Sequence, residues 1–155
     1  EFISKIQIIG FMKKIAWKRA RTRFASGMAM ALKSGLDMDE SLSLSEKLTD
    51  YEPLKMKIQQ CQEQMKEGET FPKALKEAHI FDGMQERLMI IGYETGAVDE
   101  VMEQAADLYQ KQLQDQIQKM IAVLEPTLVG ILCVIVGIIL LSVMLPLVGI
   151  MAGIG

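Results

Sequence analysis

Few residues of this chain are able to do covalent or metal chemistry. It has one histidine, His79, and two cysteines, Cys61 and Cys133. No Cys-x-x-Cys or His-Glu-x-x-His occurs, so the paired ligands that grip zinc at fixed spacing are missing. No Gly-x-x-x-x-Gly-Lys-Ser/Thr or Gly-x-Gly-x-x-Gly loop is present to cradle a phosphate, and no Gly-x-Ser-x-Gly elbow to raise a nucleophile. Carboxylates are numerous but lie mostly at helix starts or on solvated faces. Asp37, Asp39 and Glu40 open one helix, where acids suit the positive dipole end. Glu94 lies in the turn Ile91-Gly92-Tyr93-Glu94-Thr95-Gly96, which reads either as a helix-ending turn or as a contact for a partner, a cation or a backbone N–H. Glu125, in Leu124-Glu125-Pro126, reads as punctuation or as an acid near the start of an apolar helix. These five are candidate partner contacts. No catalytic residue, cofactor or metal is expected.

The elements that position these residues read as helices throughout. No segment sustains strand alternation, whereas several show apolar spacing of three and four. A helix from about Lys13 to Ser34 carries Trp17, Ala20, Phe24, Met28 and Leu32 on one stripe and stops at Gly35. A second runs from about Met38 to Thr49, with Asp37 as N-cap and Glu40 at capping-box spacing. A third carries Tyr51, Leu54, Ile58, Cys61 and Met65, with Pro53 in its first turn and Gly68 at its end. A short fourth follows Thr70 as cap, and His79 falls near its end. A fifth starts near Asp82 and carries Met84, Leu88 and Ile91. The sixth runs from about Val98 toward Val123. Glycines 35, 68 and 96 punctuate three similar stretches: a glycine ends one helix and the next begins apolar side first. Cys61 on a helix face reads as a small buried apolar residue.

Two segregations organise the chain. Thirty uncharged residues close it, from Pro126 to Gly155. Thr127 to Leu145 alone spans about 28 Å as helix, close to the roughly 30 Å of a bilayer core. Residues 1–23 hold seven basic side chains against Glu1, a net +6, and the remainder is net −9, which together make the −3 of the whole. The mean hydropathy of +0.19 and the 24% charged residues exclude a disordered tail. Phe2, Ile3, Ile6, Ile9, Met12 and Ala16 lie among the basic residues, a pattern suited to a membrane surface. Lys13, Lys14, Trp17 and Lys18 are its candidate lipid contacts, and lipid is favoured over an ordinary solvated helix face and over nucleic acid. All seventeen Lys and Arg precede the apolar segment, which places the N-terminal body in the cytoplasm. The expected architecture is all-α: an apolar and basic segment at the membrane surface (1–12), a six-helix cytoplasmic bundle (13–123), a transmembrane helix (124–146) and an apolar tail (147–155). Gly130, Cys133 and Gly137, with Gly149 and Gly153, offer small faces for helix association.

The ordered set of motifs resembles a known family. Arg23-Phe24 leads to Leu32-Lys33-Ser34-Gly35-Leu36-Asp37-Met38-Asp39-Glu40-Ser41-Leu42. Gly68-Glu69-Thr70-Phe71 follows, then Phe81, Met89 to Val98 through Gly92 and Gly96, then Leu124-Glu125-Pro126, an apolar helix and Pro146. The set, from about residue 8 to 150, resembles the type II secretion system F family of inner-membrane platform proteins. One position departs: the acid that usually follows the first glycine of the Gly92–Gly96 turn is Tyr93 here, with Glu94 next. The resemblance implies a second cytoplasmic helical copy plus the last membrane helix of a longer protein, in keeping with a first residue that is not Met. It implies a non-enzymatic role in the bacterial inner membrane. The implied partners are a cytoplasmic assembly ATPase, pilin-like subunits, other inner-membrane components of the machine, the lipid bilayer and further copies of the protein. A tail-anchored helical adaptor unrelated to pili is the alternative reading of the same residues.

Overall fold

The computed structural model describes residues 2–154, the side chain of Ile154 excepted. Among them are six helices: α1 (Phe2–Lys33), α2 (Met38–Lys47), α3 (Glu52–Lys66), α4 (Phe71–Glu77), α5 (Gly83–Thr95) and α6 (Val98–Ile154). The chain divides into two units, one reaching to Leu113 and one beginning at Gln114.

The first unit is a helical body whose core collects one stripe from each element. Phe24, Ala25 and Met28 enter from α1, Leu42 from α2, and Leu54, Ile58 and Cys61 from α3. Phe71, Ala74 and Leu75 enter from α4, Met89 from α5, and Met102, Ala105 and Tyr109 from α6. Phe81, in the connection before α5, stacks edge-on to Phe24 with ring centroids 6.0 Å apart and lies 5.5 Å from Tyr109. The ends are set by local chemistry. Asp37 Oδ1 accepts the Glu40 N–H at 2.8 Å while the Asp37 N–H donates to Glu40 Oε2, a complete capping box. Glycines 35, 68 and 96 are the described glycines with positive φ. The left-handed turn each makes lets the chain fold back onto the last carbonyls of α1, α3 and α5, as in Leu36 N–H to Ala31 O at 3.2 Å. α4 ends instead on His79 at φ 53°, exposed, with Lys57 Nζ donating to its carbonyl. Thr70 takes the N-cap position of α4 but makes no side-chain cap bond.

Three expectations change. α1 begins at Phe2 rather than near Lys13, so residues 2–12 are helix continuous with the core stripe. The buried face of α5 is Gln85, Met89 and Gly92, one residue round from the apolar set Met84, Leu88 and Ile91. Met84 and Ile91 are 70% and 56% exposed. The reason is a close crossing that only Gly92 permits: a Cβ there would come within 2.6 Å of Val101 Cγ2 and 3.3 Å of the Ala97 carbonyl. Third, Pro126 does not open a new helix. α6 runs through both Pro126 and Pro146.

The second unit is the rest of α6. Each proline withholds one N–H from the helix ladder, leaving the carbonyls of Ala122 and Ser142 without that donor. A helix still satisfies nearly every other backbone group internally, as an apolar solvent demands. Thr127 Oγ1 donates back to the Val123 carbonyl and Ser142 Oγ to that of Ile138, so the segment's hydroxyls are also satisfied within it. Within the described residues α6 is the one helix long and apolar enough to cross a membrane.

Candidate functional site

Three surfaces of the body carry chemistry suited to recognition. The first is the start of α2. Asp37 and Glu40 are exposed but spend carboxylate oxygens on the capping box. Asp39, between them, is exposed and makes no bond to another described residue. Nearby Lys33, at the end of α1, pairs with Glu103 of α6, which raises the lysine's pKa through that bond. The pair is solvent-exposed, so it adds little to stability.

The second surface is the outward side of α5. Met84, Ile90, Ile91 and Tyr93 are exposed, and Glu94 lies exposed beside them at the helix end. Thr95 Oγ1 donates to the Ile91 carbonyl at 2.9 Å, and the Ala97 N–H to that of Gly92 at 2.7 Å, so the turn closes without the Glu94 carboxylate. The two glycines of this turn do different work. Gly96 supplies φ 75°, and Gly92 supplies closeness to α6. Sequence reasoning found both glycines but not the division.

The third surface follows α1. Phe2, Ile3, Ile6, Ile8, Ile9 and Met12 are all more than half exposed, with Lys13 and Lys14 beside them. Trp17 is half-buried: its ring lies 6.3 Å from that of Tyr51, and Lys57 Nζ sits 4.8 Å over it. Its ring is thus engaged by the core stripe, whereas Lys13, Lys14 and the apolar residues before them are exposed. Lys18 is half-buried and its carbonyl accepts from Thr22 Oγ1. Between α1 and the α2–α3 connection a cleft of about 430 Å³ opens, floored by Met12, Ile15, Ala16, Phe24 and Tyr51 and edged by Arg19, Arg23 and Asp50.

One buried charge ties distant parts of the body together. Arg21, on α1, donates to Asp82 Oδ1 at 2.9 Å and lays its guanidinium 3.8 Å over the Tyr109 ring. The Asp82 N–H in turn donates to the Tyr109 hydroxyl at 3.2 Å. This explains why Asp82, at the N-cap of α5, makes no side-chain cap bond: its carboxylate is turned to Arg21. No spacing in the sequence marks the trio, because its members are far apart in the chain. Burial holds the Tyr109 hydroxyl protonated above its ordinary range, and pushes the Cys61 thiol up to about 12. Cys61 is thereby an inert core residue. No His, Cys, Asp and Glu cluster among the described residues is arranged to hold a metal.

The family model for type II secretion system (T2SS), protein F matches residues 24–146, taking in both the body and the apolar part of α6. The chain belongs to that family. A type IV pilus assembly protein PilC from Thermus thermophilus is 28% identical over 131 residues, 84% of this chain and 32% of that protein. A type 4 fimbrial assembly protein PilC from Pseudomonas putida is 26% identical over 134 residues, 86% of this chain and 33% of its own length. A type II secretion system protein F from Aeromonas hydrophila is 26% identical over 125 residues, 81% and 32% of the two chains. The chain thus spans about a third of the length of the curated relatives it matches. Within the T2SS protein F match fall Asp37, Asp39, Glu40, Glu94 and Glu125, whereas Lys13, Lys14, Trp17 and Lys18 precede it. Glu125 is exposed in mid-helix, not at a helix start, because α6 is continuous there.

Proposed function

We propose that this chain is part of an inner-membrane platform protein of a type IV pilus or type II secretion-type machine. Its helical body lies in the cytoplasm and couples an assembly ATPase to pilin-like subunits. The observation that carries the reading is the family match across body and apolar helix together. Relatives bearing the names of pilus assembly and secretion proteins support it. The distribution of charge supports the orientation: all seventeen Lys and Arg precede the apolar stretch, and cytoplasmic flanks are the basic ones.

The partner-facing residues follow from what the fold leaves unspent. Glu94, next to exposed Met84, Ile90, Ile91 and Tyr93, sits on an apolar patch with a charged rim, the composition of a protein contact. Asp39 offers a carboxylate at the start of α2, with Asp37 and Glu40 holding the backbone that presents it. Glu125 stands where α6 becomes apolar, at the depth of lipid headgroups. Small-residue faces at Gly130, Cys133 and Gly137 serve contacts with other membrane helices, including further copies of the chain.

The test is co-purification of the full chain with the assembly ATPase encoded in the same genome. The intact chain should retain the ATPase, and Glu94→Lys or Asp39→Lys should lower recovery without unfolding the body. Failure of the intact chain to retain it refutes the coupling. Full recovery with both reversals moves the contact elsewhere on the body.

A further inference from the structure

The cleft along α1 is not accounted for by the reading above. Its floor is apolar, its volume of about 430 Å³ lies in the range of small-molecule sites, roughly 300–1,000 Å³, and its edge carries two arginines. Arg19 and Arg23 are one helical turn apart on the same face, an arrangement of like charges that costs α1 a little stability. Both are exposed, and neither forms an ion pair or hydrogen bond with another described residue. Asp50 is the one acid of the lining, so two guanidiniums against one carboxylate leave it net +1. The cleft is also continuous with a lipid-like surface. Met12 closes the exposed apolar run that starts α1, Phe2 to Met12, and is the first residue of the lining.

We propose that this cleft binds one anionic phospholipid, an acyl chain lying on Met12, Ile15, Ala16 and Tyr51 and the phosphate held by Arg19 and Arg23. Two planar guanidiniums at one edge suit a phosphate, whose oxygens accept forked N–H donors. The apolar floor gives the chain of the same molecule a dry surface. A soluble phosphate would leave that floor exposed, and a zwitterionic lipid would bring its choline cation beside the two arginines and so match their charge less well. The inference rests on the chain being membrane-held.

The test uses the full chain in neutral detergent and its single tryptophan. Trp17 packs on Tyr51, a lining residue, so a lipid with brominated acyl chains in the cleft should quench its fluorescence. Brominated phosphatidylglycerol should quench saturably, and brominated phosphatidylcholine at least about tenfold more weakly. Arg19→Gln with Arg23→Gln should weaken phosphatidylglycerol about tenfold or more, while Lys13→Gln with Lys14→Gln changes it by less than about threefold. Ala16→Phe, which fills the floor and keeps both arginines, should also suppress quenching. Equal losses from the two charge pairs would overturn the site in favour of diffuse attraction. So would equal quenching by the two lipids, or displacement by inorganic phosphate alone. Flotation of the full chain with vesicles reads the membrane-held state separately. A chain that stays in the aqueous fraction sinks that state and the site together; a chain that floats without headgroup preference sinks the site alone.

Discussion

Gly92→Ala tests the geometry on which the body's last turn depends. A methyl group at residue 92 would stand 2.6 Å from Val101 Cγ2 and 3.3 Å from the Ala97 carbonyl oxygen, where carbon contacts settle at about 3.5–4.0 Å. Either α5 and α6 separate by several tenths of an ångström or Val101 leaves its rotamer, and a β-branched side chain in a helix has few others. Overpacking of this kind costs about 1–3 kcal/mol. Alanine also recovers up to about 1 kcal/mol of helix propensity over glycine. The expected net is a loss of about 1–2 kcal/mol, or roughly 5–10 °C in melting temperature for a body of this size. The assay is thermal unfolding of the full chain in detergent, followed by the fluorescence of Trp17. That residue packs on Tyr51 inside the body, so it reports the body and not the apolar part of α6. Val101→Ala removes the methyl that collides, so the double variant should be at least as stable as Gly92→Ala alone, with a coupling of about 1 kcal/mol or more. Gly96→Ala serves as the contrast. It is strained by its φ of 75°, costs about 1–2 kcal/mol, and should not be relieved by Val101→Ala. A neutral or stabilising Gly92→Ala, or strict additivity with Val101→Ala, would refute the close-crossing argument.

Four further outcomes are expected. Asp82→Asn should cost about 1 kcal/mol, since the half-exposed carboxylate is screened, whereas Arg21→Ala also strips the stack on Tyr109 and should cost about 2–3 kcal/mol, both read as shifts in denaturant midpoint. With the folded Cys61 thiol at about 12, the unfolded chain sheds that proton first, so stability falls as pH rises above about 8.5, by at most about 1.4 kcal/mol per unit. Cys61→Ala should flatten the decline between about pH 9 and 11, and the slope remaining at higher pH belongs to groups such as Tyr109. Asp37→Ala should lower stability by about 1 kcal/mol through loss of the α2 cap, with Asp37→Asn close to the parent in the same melts. Lys13→Glu, Lys14→Glu and Lys18→Glu together should weaken flotation of a chain ending at Glu125 with anionic vesicles, and unchanged flotation would retire α1 as a membrane-surface helix.

Where a structural decision is made by neighbours in sequence, the residues themselves announce it. Asp37 and Glu40, three apart, form the capping box that their spacing announces. Glycines 35, 68 and 96 end α1, α3 and α5 because a left-handed residue is needed there and glycine takes that conformation at little cost. The stripe Leu54, Ile58 and Cys61 is buried because helical spacing places all three on one side. Periodicity failed where two stripes competed. α5 offers Met84, Leu88 and Ile91 as the more apolar face, and hydrophobicity alone selects it. The fold turns Gln85, Met89 and Gly92 inward instead, because approach to α6 requires a residue without a side chain, and residue 92 fixes the face for the whole helix. Pro126 misled for the converse reason. A single missing N–H is a strong local stop signal, but an apolar segment has more to lose by breaking its helix than by leaving one carbonyl short.

That failure on α5 carries functional information. A helix that buries a glutamine, whose Oε1 finds no partner within the body, and exposes Met84, Ile90 and Ile91 has placed its greasier side where the body itself cannot use it. Burying an unpaired amide oxygen costs on the order of 1–3 kcal/mol, and exposing large apolar side chains forgoes up to roughly 2 kcal/mol each. A rotation of the helix by one residue would recover both but give up the burial of Met89 and the Gly92 crossing. Covering the outward face would regain part of that cost, and Glu94 at its edge would suit a partner surface that carries a basic group. Met84→Asp with Ile91→Asp separates the two accounts. If the face is covered in the assembled machine, the paired substitution leaves the body's melting temperature within a few degrees and removes the ATPase or the membrane partner from the purified assembly. If it instead melts the body, the face is part of the core, and the covered-face account fails.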